Sequence, residues 1–162
     1  MKSGSKIRRI TLRGHVFDEK HSLIARDCQI ALNDLKAASV FEPLSPFDGP
    51  YDIALSLEDN RLVFRIQNAE AQELPTLVLS LKPYHRLIKD YFIIVQSYDA
   101  AMLNGQPSRI EAIDMGRRAV HNEGAELLME RLADKIEMDM DTARRLFTLI
   151  CVLHSGKVHI QR

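Results

Sequence analysis

A stretch of alternating apolar residues near the middle of the chain constrains its fold more than any other feature. Two runs share this period of two, and their apolar members are Ile53, Leu55 and Leu57, then Leu62, Phe64 and Ile66. If Asp59 and Asn60 form a two-residue turn, which suits residues that tolerate positive φ, each apolar residue faces one from the other run. The same register places Glu58 opposite Arg61, which is a favourable cross-strand charge pair. The pattern therefore predicts a β-hairpin with one buried face.

Weaker patterns on either side of the hairpin predict two more strands and a helix. Ile10 and Leu12 alternate with polar and basic residues, which predicts a first strand at the edge of the sheet. A helix that ends near Lys36 is predicted from apolar residues at steps of four and three, namely Ile24, Cys28, Ala31 and Leu35. Prolines and a glycine between positions 43 and 50 then predict a loop, and alternating leucines predict a strand over residues 77–81.

Helical periodicity dominates the rest of the chain. Apolar and tyrosine side chains recur at alternating steps of four and three from Tyr84 to Met102, which predicts an amphipathic helix. Ser108 and Glu111 have the spacing of a capping box, in which each side chain bonds the other residue's backbone amide. A second helical segment is therefore predicted to start there and to run to about Asp134.

Glycines and an acidic residue predict where this second helix breaks and where a final helix begins and ends. Gly116 and Gly124 each cost about 1 kcal/mol relative to alanine inside a helix, so a break is expected near one of them. Asp141 is predicted to cap a final helix, and Gly156 is well placed to end it.

The order of the elements predicts the fold class. Strands gather in a β-rich half, residues 1–82 approximately, and helices in a second half, residues 83–156 approximately. This order is typical of an α+β fold, with a small, mostly antiparallel sheet (strand, helix, hairpin, strand) packed against three C-terminal helices. With 162 residues, of which 46% are hydrophobic, we expect residues 1–162 to form one domain with a packed core.

Charge and cysteine usage exclude several classes of protein. The 22 basic residues match the 22 acidic ones, so a broad basic surface for nucleic acid or membrane is not expected. The most apolar run, residues 146–153, is far shorter than the roughly 20 residues that a membrane helix needs. Cys28 and Cys151 are too far apart in sequence for a paired-cysteine motif, so we expect buried free thiols and a cytoplasmic protein.

One helical segment holds the densest group of polar residues, and we treat it as a candidate ligand site. Arginine side chains and an imidazole could bind an anion or exchange protons near neutral pH. The candidate residues are Arg117, Arg118, His121, Asn122 and Glu123, with Asp114 one turn earlier. The alternative is a polar helix face with internal salt bridges, which such patterns more often represent.

Known cofactor and metal signatures are missing from the sequence. His121-Asn122-Glu123 matches half of the zinc-deaminase motif, but the P-C-x-x-C half is absent, so we exclude that chemistry. No P-loop, Rossmann glycine set, nucleophile elbow or H-E-x-x-H motif is present. We therefore predict no cofactor and no metal site.

Two further patterns suggest nucleic acid, and neither interpretation is favoured. Tyr84, Tyr91 and Tyr98 share one helix stripe and could stack on bases, but tyrosines at the edge of a core are commoner. Residues 126–150 could form a helix-turn-helix with Arg144 and Arg145 opening its second helix. Acidic residues at the turn would repel a phosphate backbone, and they are Glu137, Asp139 and Asp141.

Two stretches resemble a family of small uncharacterised bacterial proteins that carries only a placeholder name. They are Gly49-Pro50-Tyr51 with Leu55-Ser56-Leu57-Glu58 and Arg61-Leu62-Val63-Phe64, and Gly116-Arg117-Arg118 with His121-Asn122-Glu123-Gly124-Ala125-Glu126-Leu127-Leu128. The resemblance covers nearly the whole chain and implies a bacterial, cytosolic protein. It assigns no activity and no catalytic residue.

These observations support two expectations of function. The first is a non-enzymatic or regulatory binding protein that self-associates through its helical half, because tyrosines and the small residues Gly116, Ala119 and Gly124 could form a dimer seam. The second is a small enzyme or a protein that binds an anionic metabolite through Arg117, Arg118, His121 and Glu123. Whether the protein is an enzyme stays open at this point.

Overall fold

A computed structural model describes residues 4–14 and 22–160, and these residues form ten regular elements. In chain order they are β1 (Ile7–Leu12), α1 (Ser22–Ala37), β2 (Phe41–Pro43), β3 (Tyr51–Glu58), β4 (Arg61–Asn68), β5 (Leu77–Ser80), α2 (His85–Leu103), α3 (Pro107–Leu132), β6 (Ile136–Met138) and α4 (Met140–Ile160). A single 3-10 turn, Lys82–Tyr84, leads into α2. The α+β class is confirmed, and so are the three helices of the second half.

The main sheet has four strands in the order β1-β3-β4-β5, with the predicted hairpin at its centre. Its register pairs Leu57 with Leu62 and Glu58 with Arg61, as the alternation of apolar residues predicted. Asp59 and Asn60 have φ values of 51° and 65°, which is the backbone of a primed two-residue turn. Strand β1 lies at the edge and runs parallel to β3, while the other pairings are antiparallel.

A second, two-stranded sheet joins β2 to β6 and was not predicted. Phe41 pairs with Met138 in this antiparallel ribbon, so the loop after α1 is tied to the connection between α3 and α4. The helix-turn-helix interpretation of residues 126–150 is wrong, because a β-strand occupies this connection. We find no helix in the described ranges that is long and apolar enough to cross a membrane.

One hydrophobic core lies between the main sheet and the helices. Tyr84 and Tyr91 are fully buried in it, and Tyr98 is half-buried with the Arg26 guanidinium 5.7 Å from its ring centre. The tyrosine stripe is therefore part of the core and is not a stacking platform. Cys28 and Cys151 are buried free thiols, as expected.

The predicted helix ends need correction. Helix α3 begins at Pro107 and its N-cap, Gln106, makes no side-chain hydrogen bond, so the capping box of Ser108 and Glu111 is wrong. Proline fixes the backbone for the first helical position, which moves the start of the helix upstream. The helix then continues without a break through both of its glycines.

Helix α4 differs from the prediction at both ends. The carboxylate of Asp139 accepts a hydrogen bond from the Thr142 amide at 2.9 Å, so Asp139 caps this helix and Asp141 lies inside it. The helix also continues through Gly156 to Ile160, because a glycine permits a helix end without requiring one.

Candidate functional site

Three helices meet at a polar cleft of about 290 Å³, which we call the helical cleft. Each helix contributes residues three or four positions apart, so the side chains from each helix project from one face. The lining residues are Asp27, Ile30, Ala31 and Asp34 from α1, Arg117, Arg118 and His121 from α3, and Asp141, Arg144, Arg145 and Thr148 from α4. Four arginines and three aspartates therefore face the same space.

A buried carboxylate organises the floor of the helical cleft. Asp27 is only 8% exposed, and its Oδ2 accepts a hydrogen bond from the Tyr91 hydroxyl at 2.8 Å. Its Oδ1 accepts one from Nη1 of Arg117 at 2.7 Å, and Arg117 also reaches Asp114 at 3.4 Å. Burial, and then the charge of Asp27, raises the pKa of Tyr91, so its hydroxyl stays protonated as the donor. The network fixes Arg117 at the floor.

The hydrogen bonds of His121 define its proton state. Its Nδ1 lies 2.8 Å from the carbonyl oxygen of Arg117, and a carbonyl only accepts, so Nδ1 carries the proton. Burial is the largest cause that lowers the pKa of His121, which keeps the ring neutral at neutral pH. Tyr91 and Phe147 contact the ring edge-to-face, with centroids at 5.7 and 5.6 Å. These contacts hold the ring in place, and Nε2 is the nitrogen that carries the lone pair in this tautomer.

Arginines form the rim of the helical cleft and are paired only loosely. Nε of Arg145 lies 3.4 Å from Asp34, and Nη1 of Arg144 lies 3.5 Å from Asp141. Both contacts are long for charge-assisted hydrogen bonds, which are about 2.7–2.9 Å. Arg118 is exposed and forms no ion pair with any residue in the described part of the chain. The rim therefore offers guanidinium groups to a ligand.

The structure divides the five residues of the candidate site between two faces of α3. Arg117, Arg118 and His121 line the helical cleft. Asn122 and Glu123 are exposed and do not line it, and Glu123 accepts a hydrogen bond from Arg86 of α2 at 2.6 Å. A step of one or two residues beyond His121 turns the side chain away from the cleft, because a helix has 3.6 residues per turn.

Sequence reasoning missed the contributions of α1 and α4. Asp27 and Asp34 lie on the polar side of the first predicted helix, and Arg144 and Arg145 were considered only as part of a helix-turn-helix. The sequence shows that the charged residues of each helix share one face. The local sequence does not indicate which of these faces pack against one another. Within residues 4–14 and 22–160, no group of three or more His, Cys, Asp or Glu side chains is arranged to hold a metal ion.

Comparison with known proteins agrees with the resemblance found in the sequence. The model of an uncharacterised protein family, UPF0262, matches residues 4–156. The UPF0262 protein of Rhizobium etli is 54% identical over 125 residues, which is 77% of this chain and 80% of that protein. The UPF0262 protein of Caulobacter vibrioides is 55% identical over 126 residues, 78% of each chain. No solved structure gives a significant match.

Proposed function

Because the chain belongs to the uncharacterised protein family UPF0262, we propose its function from the geometry of the helical cleft. The protein is a small binding protein that holds an anionic metabolite between α1, α3 and α4. The observation that carries the proposal is the convergence of four arginines from two helices on one cleft, with Arg118 left without an acidic partner in the described ranges.

The charge arrangement favours an anion over other ligands. Asp27 is already bound by both Tyr91 and Arg117, so its charge is compensated within the protein. Arg144 and Arg145 have long contacts to aspartates and can turn to a ligand at little cost. A guanidinium matches the two oxygens of a carboxylate or phosphate group. The volume of about 290 Å³ suits a small metabolite.

A two-step experiment tests this proposal. Thermal-shift screening against anionic metabolites identifies a ligand, since binding to the native state raises its apparent stability by about 2.7 kcal/mol at a hundred times Kd. Isothermal titration calorimetry of the identified ligand with the Arg118→Gln variant then measures how much this rim arginine contributes to the affinity. We expect affinity to fall at least about tenfold, because a hydrogen bond to a charged group contributes about 1.5–3 kcal/mol.

A matched variant controls for the loss of positive charge. Arg109→Gln removes an exposed arginine from the same helix but outside the cleft, and it should bind the ligand as the wild type does. The proposal fails if no anionic metabolite stabilises the protein, or if Arg118→Gln binds the hit with unchanged affinity.

An enzyme that acts by proton transfer is the second candidate. The neutral His121 ring, with Nδ1 bonded to a carbonyl and Nε2 unprotonated, suits a general base. Incubation with the metabolite found by screening, followed by NMR of the metabolite, tests for turnover. If turnover occurs, His121→Gln should abolish it while ligand binding persists. If NMR shows the metabolite unchanged after incubation, the protein binds it without catalysing a reaction.

Self-association stays a prediction. Tyr84 and Tyr91, which suggested a dimer seam, lie in the core of one chain, and Gly124 packs on Phe147 of the same chain. Gly116 faces open space and is free to approach a partner. Size-exclusion chromatography with light scattering decides the question, and a monomer at micromolar concentration would contradict the dimer.

We also propose that the protein acts in the cytoplasm. Cys28 and Cys151 are separate, buried thiols, which suits a reducing compartment. Fractionation of cells that produce the protein with an epitope tag tests the location, and recovery from the periplasm would contradict it.

A further inference from the structure

The main sheet has a second face that lies away from the helices and forms a groove of about 440 Å³, which we call the sheet groove. The strand register places Ala54 at its centre, with Thr11 beside it on β1 and Arg65 beside it on β4. Asp52 and Ser56 lie two residues away on the same face of β3. The small alanine side chain, surrounded by longer ones, creates the depression.

Two arginines at the corners of this arrangement form no direct ion pair in the described part of the chain. Arg9 pairs in register with Asp52, and Arg13 follows β1 with its amide bonded to the Leu55 carbonyl at 2.8 Å. Both side chains line the groove and are exposed, and neither forms an ion pair with another described residue. Four residues of extended strand separate them by about 13 Å between Cα atoms, with Ala54 near the midpoint. Long arginine side chains can therefore reach one group bound over Ala54 from both ends.

The acids nearest these arginines are already bound by other residues. Asp52 accepts two hydrogen bonds from Arg8, at 2.9 and 2.6 Å. Glu58 accepts one from Arg65 at 2.8 Å and one from Ser56 at 2.6 Å, and these bonds are the main causes that lower the pKa of its carboxyl group. The positive charges of Arg65 and Arg13 add a smaller lowering. Both carboxylates are therefore held in place by these bonds, and Arg13 acts on Glu58 only through space, without a direct ion pair.

Glu73 is the remaining acid in the lining, and it lies at the far side of the groove. Glu73 forms an isolated β-bridge with Gln67. Gln67 pairs across the sheet with Asp52, and Asp52 pairs with Arg9. Three strand spacings of about 4.8 Å separate Glu73 from Arg9, roughly 14 Å in all. The β1 side of the groove is therefore positive and its β5 side is negative.

We propose that the sheet groove is a second ligand site, distinct from the helical cleft, which binds the phosphate group of a phosphorylated small molecule over Ala54 through Arg9 and Arg13. The hydroxyl of Thr11 lies between the two arginines as a further hydrogen-bond donor. Arginine is suited to this role because its planar fork bonds two phosphate oxygens at once. The negative side at Glu73 favours a ligand whose uncharged or cationic part extends toward β5.

Inorganic pyrophosphate is the probe, and amide NMR of the full chain reports where it binds. We expect titration to shift the amides of Thr11 and Ala54. In the double variant Arg9→Gln/Arg13→Gln, the affinity for pyrophosphate, measured from the shifts of these amides, should fall at least about tenfold, since two charge-assisted bonds are lost. Arg61→Gln is the matched control, because Arg61 is an exposed arginine of the same sheet outside the groove. It should bind as the wild type does.

Two additional variants distinguish binding in the sheet groove from binding elsewhere on the protein. Ala54→Leu fills the floor without changing any charge, and it should abolish the shifts at Thr11. Arg118→Gln, which alters the helical cleft, should leave them unchanged. The proposal is overturned if millimolar pyrophosphate shifts neither amide, or if Arg61→Gln weakens binding as much as the double variant. It is also overturned if a short single-stranded oligonucleotide shifts these amides and pyrophosphate does not, which would identify a nucleic-acid surface.

Discussion

Two glycines on α3 provide a sharp test of the packing, because the same substitution should have opposite effects at the two positions. A Cβ atom added at Gly124 would lie 2.4–2.6 Å from three ring atoms of Phe147. Real Cβ atoms do not approach carbon this closely, so the ring or the helix has to move. Phe147 is fully buried, and its ring also contacts His121 at the helical cleft. At Gly116 the added atom would meet nothing within 4 Å.

The expected magnitudes follow from these distances. Alanine gains about 1 kcal/mol over glycine inside a helix, and Gly116→Ala should realise most of this gain. At Gly124 the same gain is opposed by overpacking, which costs about 1–3 kcal/mol and approaches the upper value at a fully buried ring. We therefore expect Gly124→Ala to be about 2 kcal/mol less stable than the wild type. About 3 kcal/mol should separate the two variants, or about 6–12 °C in Tm for a chain of this length.

Urea denaturation followed by far-UV circular dichroism measures this difference, with unchanged m values as the condition for comparing midpoints. A third variant identifies the cause, since Phe147→Leu makes room beside residue 124 and should reduce the cost of Gly124→Ala in a double-mutant cycle. Equal shifts for the two alanine variants would refute the reasoning. So would a cost at Gly124 that is the same in the Phe147→Leu background.

The buried groups give three further predictions. Asp27→Asn should lower the free energy of unfolding by about 2 kcal/mol, because Arg117 loses its buried charged partner and keeps only the longer contact to Asp114, and urea denaturation measures the loss. Burial lowers the pKa of His121 below its ordinary 6.5, so the unfolded chain binds the proton more readily and stability falls as the pH drops below 6.5. His121→Gln should show a smaller fall in the same denaturation series. Burial raises the pKa of Cys28 to about 11, and Cys151 is also fully buried, so a thiol reagent at neutral pH should label both only after denaturation.

The parts of the fold that the sequence predicted are those decided by neighbouring residues. The hairpin was predictable in full register because its turn and its apolar alternation are both local. The pairing of β2 with β6 was not, since each strand has three residues and the two lie far apart in the chain. Three residues are too few for a period to be recognised. Helix α3 continues through Gly116 because a cost of about 1 kcal/mol is small beside the packing of a 26-residue helix.

The candidate site was predictable only along α3. Arg117, Arg118 and His121 share a face by helical spacing, and the structure brings them to one cleft. Glu123 was grouped with them because it is close in sequence, whereas its side chain pairs with Arg86 of another helix. The floor of the cleft depends on Asp27, which lies 90 positions from Arg117 in the chain. Only the packing of α1 against α3 and α4 brings these two residues together.

The zero net charge of the chain is compatible with both proposed sites, because charge acts over short distances here. Most acids near the arginines are bound by other residues, as Asp52 is by Arg8 and Asp27 is by Arg117. Screening in physiological salt confines each remaining arginine's influence to about 8 Å. A chain without net charge does not attract anions from a distance, so association should be slower than electrostatically steered binding. Affinity at either site would then come from contacts within the groove or the cleft, and substitutions there should mainly change the dissociation rate.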